Sequence, residues 1–356
     1  MIIWLICGLF KPHTGGCAAY AELLVQHLRK NGDIRHVFLI TEYAPGDLWH
    51  SDGKVTVLRI LPRRDSREFS SAIYRGATFA VTHVLLLVLI LLISIFRRRD
   101  CLHFHSRLVY PWTGFAVRLL KVRALADVRD NFAQVSSVAA FPLSVYVSRQ
   151  IYDGLRRLIP EQKLVHIPVP IDAREIVRLG HRKIVTNEHS KPYFLFVGTI
   201  SASKGIPELI EAYCEYRRIH GEASPQLLLA GPNRLSNGTD LNAIAGVRYL
   251  GSLGEEEVYP LMAGADRLIL PSKAEGMPRV CLEAMVLGMP VVCPPHVVEF
   301  ETWCSHCVLP EITPAAILMM LERPRETLLA NGYPLEHHCW NDTVELYHNV
   351  YRKLAA

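Results

Sequence analysis

No Asp-x-Asp occurs anywhere in these 356 residues, and no Gly-x-Gly-x-x-Gly follows the first strand-like run. The first absence removes a common paired-carboxylate cradle for a divalent cation, and the second disfavours a dinucleotide-dependent dehydrogenase. There is no internal repeat and no low-complexity tract. No nucleic-acid fold motif accompanies the modest excess of Lys and Arg (39) over Asp and Glu (34), so nucleic acid is not an expected partner. The nine cysteines are an odd number, and several lie in apolar runs; they do not read as a secreted disulfide framework and suit a reducing compartment. One Cys-x-x-Cys is present, Cys304-Ser-His-Cys307, and His337, His338 and Cys339 can extend it. With no second Cys-x-x-Cys, neither a metal nor another cofactor is expected.

Length and hydrophobicity come next. A chain of 356 residues that is 50% hydrophobic exceeds what one core usually supports and suits two α/β domains. Two prolines in three residues, Pro168-Val-Pro170, interrupt the strand-like Leu164–Ile167 and mark a hinge, giving a first domain of residues 1–170 and a second of 171–338. Charge divides unevenly between them. Residues 1–172 hold 22 Lys and Arg against 13 Asp and Glu, an excess of nine, whereas the remainder holds 17 against 21, a deficit of four. An anionic partner for the first domain follows.

Ala77 to Phe96 is a twenty-residue run without formal charge, followed by Arg97-Arg98-Arg99. As a helix it is about 30 Å long, enough to cross a bilayer. Its position within the chain argues against a signal peptide. Spanning, core packing and contact with a membrane surface all fit the run by itself. A span would separate Gly15-Gly16 from the glutamates described below, so one site could not form. The expectation is therefore a helix partly buried on the first domain, with an apolar face in an anionic membrane surface and Arg63, Arg64 and Arg67 near the headgroups. The corresponding location is the cytoplasmic face of the membrane, held peripherally.

From Pro271 to Pro290 the chain reads PSKAEGMPRVCLEAMVLGMP, with Glu275 and Glu283 eight residues apart around a Gly-Met-Pro turn. The apolar Leu268–Leu270 ends at Pro271, so a buried strand stops there and residues 272–278 form the loop leaving its carboxyl edge. Val280 to Leu287 has helical character, Gly288 suits the C-cap, and Val291-Val292-Cys293 is again strand-like. In open α/β sheets ligands bind outside the carboxyl ends of the strands, and anions favour helix N-termini. Backbone amides from Gly276, Met277, Pro278, Arg279 and Val280 are thus placed for phosphate oxygens, apart from Pro278, which has no N–H and contributes shape. The two carboxylates are suited to sugar or ribose hydroxyls. Taken alone, two such glutamates also fit a solvated loop and a capping role.

This segment resembles the E-x7-E signature of the retaining GT-B glycosyltransferases of family four, glycosyl transferases group 1. Other segments match in order: Phe194-Leu-Phe-Val-Gly-Thr-Ile-Ser-Ala-Ser-Lys-Gly-Ile, Leu227-Leu-Leu-Ala-Gly, Val247-Arg-Tyr-Leu-Gly-Ser-Leu, and, near the start, Lys11-Pro-His-Thr-Gly-Gly before an amphipathic helix. Cys339-Trp-Asn-Asp with Tyr347 and Tyr351 resembles the closing helix, so residues 339–356 are expected to pack back on the first domain. The resemblance implies an α/β GT-B fold, with two Rossmann-like domains facing each other across a cleft. It also implies metal-independent transfer with retention of configuration by front-face displacement. In that scheme Glu275 contacts the donor sugar, Glu283 the ribose, and Lys204, beside the helix that Pro207 opens, stabilises the departing diphosphate with Gly16 and Gly198 close by. Where the family often carries an arginine after the strand's glycine, this chain has Thr199, for which Arg279 is a candidate substitute.

In the first domain, His103 and His105 of Leu-His-Phe-His resemble the family's H-x-H stretch and are candidate acceptor contacts, although core or structural histidines fit the same positions. Arg129-Asp130 follows the strand Ala124–Val128; Asp130 is placed to orient or deprotonate an acceptor hydroxyl, with Arg129 holding it ionised. The composite expectation is a glycosyltransferase with a nucleotide-sugar donor and a glycan or lipid-linked acceptor, serving surface polysaccharide or lipopolysaccharide assembly. A nucleotide-sugar epimerase on the same fold, or a non-catalytic membrane-associated binding protein, is the alternative.

Overall fold

The computed structural model describes residues 1–8, 10, 16–62, 72–97, 99–105, 108–130, 135–182, 192–235, 240–330 and 338–356. Arg63, Arg64, Arg67, Arg98, Lys11 to Gly15 and His337 therefore lie outside the described residues. The chain divides into two compact units: Met1–Pro168 with Trp340–Ala356, and Val169–Cys339.

In the first unit the elements run β1 (Ile2–Ile6), α1 (Gly16–Lys30), β2 (His36–Glu42), β3 (Trp49–Asp52), β4 (Val55–Leu61), α2 (Ala72–Phe96), β5 (Cys101–His105), α3 (Pro111–Leu120), β6 (Ala124–Val128), α4 (Val135–Val138), β7 (Leu143–Tyr146), α5 (Arg149–Leu155) and β8 (Leu164–His166). Among the described residues they form one sheet in the order β3-β4-β2-β1-β5-β6-β7-β8, with β3 antiparallel and every other pairing parallel. The order reverses between β1 and β5. Both faces are covered, so β5 and β6 are buried at every position. Because parallel crossovers are right-handed, α1 lies on one face while α2 and α3, running the other way across the sheet, lie together on the opposite one.

The second unit runs α6 (Ala173–Gly180), β9 (Tyr193–Val197), α7 (Ile206–His220), β10 (Gln226–Ala230), β11 (Val247–Gly251), α8 (Glu255–Gly264), β12 (Arg267–Ile269), α9 (Arg279–Val286), β13 (Val291–Val292), α10 (Val298–Cys304) and α11 (Pro314–Glu322). Its strands are ordered β11-β10-β9-β12-β13, all parallel, with the reversal between β9 and β12. The final helix, α12 (Trp340–Ala355), returns to the first unit. There Tyr347, Val350, Tyr351 and Leu354 join Leu24 and Leu28 of α1 in the core over β1 and β2.

Helix α2 packs against β4 and α3. Thr82, Leu86, Ile90 and Ile93 form its buried stripe at helical spacing, while Val81, Val84, Val88, Leu91, Leu92 and Ile95 are exposed. An exposed stripe made wholly of aliphatic side chains is unusual for a helix facing water. Leu86 is core, so a leucine-to-serine series along this run would damage the fold before it reported on any surface.

Candidate active site

In the second unit the sheet reversal decides which loops meet. Strand β9 leads into Gly198 and the turn carrying Lys204, and its neighbour β12 leads into the loop carrying Glu275. Two tight contacts fix that meeting. The Lys273 N–H donates to Ser203 O at 2.9 Å. Gly205, at φ +70°, lies so close to the second loop that a Cβ there would sit 2.0 Å from Pro271 O, which only glycine avoids. Lys204 and Glu275, 71 positions apart, are consequently in direct ion-pair contact, both half-buried. Gly198 faces a second close approach, where a Cβ on Gly231 would lie 1.9 Å from Gly198 O.

The next strand adds a residue that sequence reasoning missed. His296 follows β13, and its Nε2 accepts the backbone N–H of Glu275 at 2.7 Å. Burial holds the ring below its ordinary pKa, so it is neutral at pH 7 and free to accept. The same carboxyl-edge rule that located Glu275 would have found His296, since Pro294-Pro295-His296 is the loop leaving the adjacent strand.

Buried Gly276, Met277 and Pro278 lead into α9, which opens at Arg279 and Val280 and ends where Gly288 takes φ +64°. Glu283 lies in this helix and is nearly buried. Its Oε1 is 3.1 Å from the Arg279 guanidinium, one helical turn back, and accepts a long bond of 3.4 Å from Tyr259 of α8. Burial first, then the Glu283 charge, pushes the Tyr259 hydroxyl far above its ordinary pKa, so it is a donor. Arg279 thus reaches Glu283, and its charge is not freely offered where Thr199 replaces an arginine. Cys304 and Cys307 are buried free thiols at the end of α10 and in the turn after it.

The first unit holds a different arrangement. Asp127, the fourth of the five residues of buried β6, is fully enclosed; its Oδ2 accepts from Arg129 Nε at 2.9 Å, Tyr347 OH at 2.8 Å and His103 Nε2 at 3.2 Å. His103 Nδ1 in turn lies 2.7 Å from Tyr351 OH, and Tyr20 OH donates to Tyr347 OH at 2.8 Å. Arg129 also donates to Tyr347 and lies 3.6 Å over the Tyr20 ring. Burial would raise the Asp127 carboxyl, but Arg129 and His103 more than reverse it and hold it well below the carboxylate range. Burial likewise opposes the Arg129 charge, and Asp127 outweighs it.

Two of the candidate residues belong to this network. His103, expected at an acceptor site, is fully buried with both ring nitrogens engaged. Arg129, expected to serve Asp130, is bound into the Asp127 network. A charged residue within an all-buried strand was the overlooked signal. His105 ends β5 opposite Asp127, and burial lowers it to about 4; its Nε2 and Asp127 Oδ1 are buried without a hydrogen-bond partner among the described residues. Asp130 is half-buried on the loop after β6, and Gly16 is the first residue of α1.

Residues 191–311 match the family model described as glycosyl transferases group 1. The O-antigen chain mannosyltransferase B of Escherichia coli is 25% identical over 245 residues, covering 65% of this chain and 60% of that protein. An uncharacterized glycosyltransferase of Methanocaldococcus jannaschii is 31% identical over 120 residues, covering 32% and 30%. The matched stretches thus span less than two thirds of these relatives' own lengths. A UDP-forming α,α-trehalose-phosphate synthase from Burkholderia xenovorans, solved with glucose-6-phosphate, superimposes with a TM-score of 0.72 at 15% identity and covers 100% of both chains, a likeness of fold.

Proposed function

From the match of residues 191–311 to the glycosyl transferases group 1 family and the GT-B fold, we propose that the chain is a glycosyltransferase of that family that moves a sugar from a nucleotide diphosphate donor to a glycan or lipid-linked acceptor. The proposal includes retention of anomeric configuration and independence of metal ions. The Lys204–Glu275 pair at the reversal between β9 and β12 carries this reading. An ammonium and a carboxylate on adjoining loops suit the two halves of such a donor, the cation its diphosphate and the carboxylate its sugar hydroxyls.

Amides at the start of α9 bind the phosphates, and Glu283 takes the ribose, exchanging part of its contact with Arg279 and Tyr259 for the two ribose hydroxyls. His296 positions Glu275 by fixing its backbone. In the reaction the bond between the anomeric carbon and the phosphate oxygen breaks while the acceptor oxygen bonds to that carbon on the same face. The acceptor proton passes to the departing phosphate, whose negative charge Lys204 and the helix N-terminus stabilise. Asp130 orients the acceptor hydroxyl. The exposed aliphatic stripe of α2 and the basic balance of the first 172 residues support a membrane-surface, lipid-linked acceptor in surface polysaccharide assembly.

Thermal unfolding of the full chain with UDP-, GDP- and ADP-sugars, with and without Mg²⁺, tests the donor half, because a ligand that binds the native state raises Tm. Stabilisation by one nucleotide class, equal with and without Mg²⁺, is the expected result. A shift that requires Mg²⁺ removes metal independence, and a folded protein that no donor stabilises removes the transferase reading.

A further inference from the structure

The aliphatic stripe of α2 does not stand alone. Helix α3 packs beside it on the same face of the sheet. Thr113, Gly114, Ala116 and Val117 turn inward, while Trp112, Phe115 and Leu119, spaced three and four apart, are 63%, 59% and 64% exposed. Residues at that spacing share one side of a helix. Two neighbouring helices therefore each leave an apolar row in the open, and one row holds a tryptophan, the side chain most at home at a bilayer's interface.

Charge is distributed along these helices in one direction. Arg97 and Arg99 follow the end of α2 and precede β5; Arg118 and Lys121 close α3 and precede β6. Strands β5 and β6 are parallel neighbours, so all four exposed cations gather at one end of the helix pair, on the amino edge of the sheet. Asp100 lies among them in sequence but is buried, with its carboxylate accepting from Trp4 Nε1 at 2.9 Å. Apolar rows with interfacial aromatics, ending in a cationic patch, complement an acyl boundary bordered by anionic headgroups; a protein partner would not call for that separation.

The inner row of α2 excludes a perpendicular insertion. Leu86, Ile90 and Ile93 are packed within the unit, and crossing a bilayer would strip them from it. We infer that α2 and α3 form a single in-plane anchor for an anionic lipid surface, with both apolar rows in the acyl boundary and Arg97, Arg99, Arg118 and Lys121 on lipid phosphates. This rests on the membrane-surface reading above and adds to it α3, the cations that meet the headgroups and the orientation.

Flotation of the full-length protein with vesicles of phosphatidylcholine, alone or mixed with phosphatidylglycerol, tests it at low and high salt. The protein is expected to float with the mixed vesicles at low salt and to be released by salt. Trp112→Ser with Phe115→Ser and Leu119→Ser should abolish flotation with α2 intact. Arg118→Gln with Lys121→Gln should weaken partitioning about twenty-five-fold, taking about fivefold per cation. These sites are exposed, and an unchanged Tm establishes that the variants are folded.

If the parent floats but both variants float equally well, the two-helix anchor is overturned while a surface role for α2 survives. If the parent floats on no vesicle, the membrane reading falls and the anchor with it. A parent that doubles in mass without lipid, reverts to a monomer with the α3 substitutions and ignores vesicles assigns the face to self-association and also overturns the inference.

Discussion

Asp127 and Glu275 each sit near the carboxyl end of a parallel strand and each pair with a cation, yet they do opposite work. Asp127 lies within its strand, fully enclosed, and three donors from β5, α12 and the segment after β6 converge on one of its oxygens. Glu275 lies past the end of its strand on a loop, with 15% of its side chain exposed, an ammonium opposite and a histidine holding its backbone. A carboxylate inside the strand joins elements together; a carboxylate just beyond it is placed, in the function proposed above, to face a ligand. Position relative to the strand end, more than charge or partner, separates scaffold from site.

Breaking each pair should expose that difference. Asp127→Asn leaves the Arg129 guanidinium buried without its counterion, a loss of about 3–5 kcal/mol of folding stability, measured by urea denaturation. Lys204→Ala is expected to do the reverse. Stability should fall by less than in Asp127→Asn, because this pair keeps 26% and 15% of its side-chain surface exposed, while turnover with the donor identified by thermal shift drops about 10²–10³-fold, as for loss of one charge-stabilising donor. Equal stability losses in the two variants would erase the distinction.

Much of the Glu275 side was legible in the sequence because its grammar is local. Pro271 ends a strand, Gly288 and Pro290 end a helix, and Gly205 with Pro207 opens another, all within a few residues of the groups they position. What local grammar cannot give is which loops meet. The contact of Lys204 with Glu275 depends on β9 pairing with β12, and the place of His296 depends on β13 lying next in the sheet. The Asp127 network was hidden for a stronger form of the same reason, since Tyr347 reaches it from 220 positions away. In α2 the difficulty was the opposite. Nearly every residue is apolar, so the sequence carries no period, and only the packed unit separates Leu86 inside from Val84 and Val88 outside.

His105 provides a pH test of the enclosed region. Burial lowers its pKa from the ordinary 6.5 to about 4, so the native state holds it neutral while the unfolded chain protonates it over that interval. The unfolded state then binds more protons, and stability falls as pH drops. The contribution is fully present above pH 6.5 and is lost progressively towards pH 4, about 3 kcal/mol for the full shift. Denaturation midpoints across this range should slope downward in the parent, and His105→Asn should flatten the slope. A parental slope that survives the substitution assigns it to other groups.

Glu283 stands between the two cases and gives the finest test. It is nearly buried, like Asp127, and pairs with Arg279 and Tyr259, yet it belongs to the helix that opens beside Glu275. If strand-end position outweighs enclosure, Glu283→Gln should behave as a site variant. The amide keeps the shape and one acceptor, so the Tyr259 bond survives, while Arg279, with 15% of its side chain exposed, loses its counterion, so Tm should fall by less than in Asp127→Asn. Two ribose hydroxyls would meet a neutral amide in place of a charge, and a charge-assisted bond exceeds a neutral one by about 1 kcal/mol. Donor affinity, measured by titration calorimetry, should weaken about twenty-five-fold, about fivefold for each hydroxyl. An unchanged Kd with a large drop in Tm would move Glu283 to the scaffold side and leave the Lys204, Glu275 and His296 loops as the whole of the donor site.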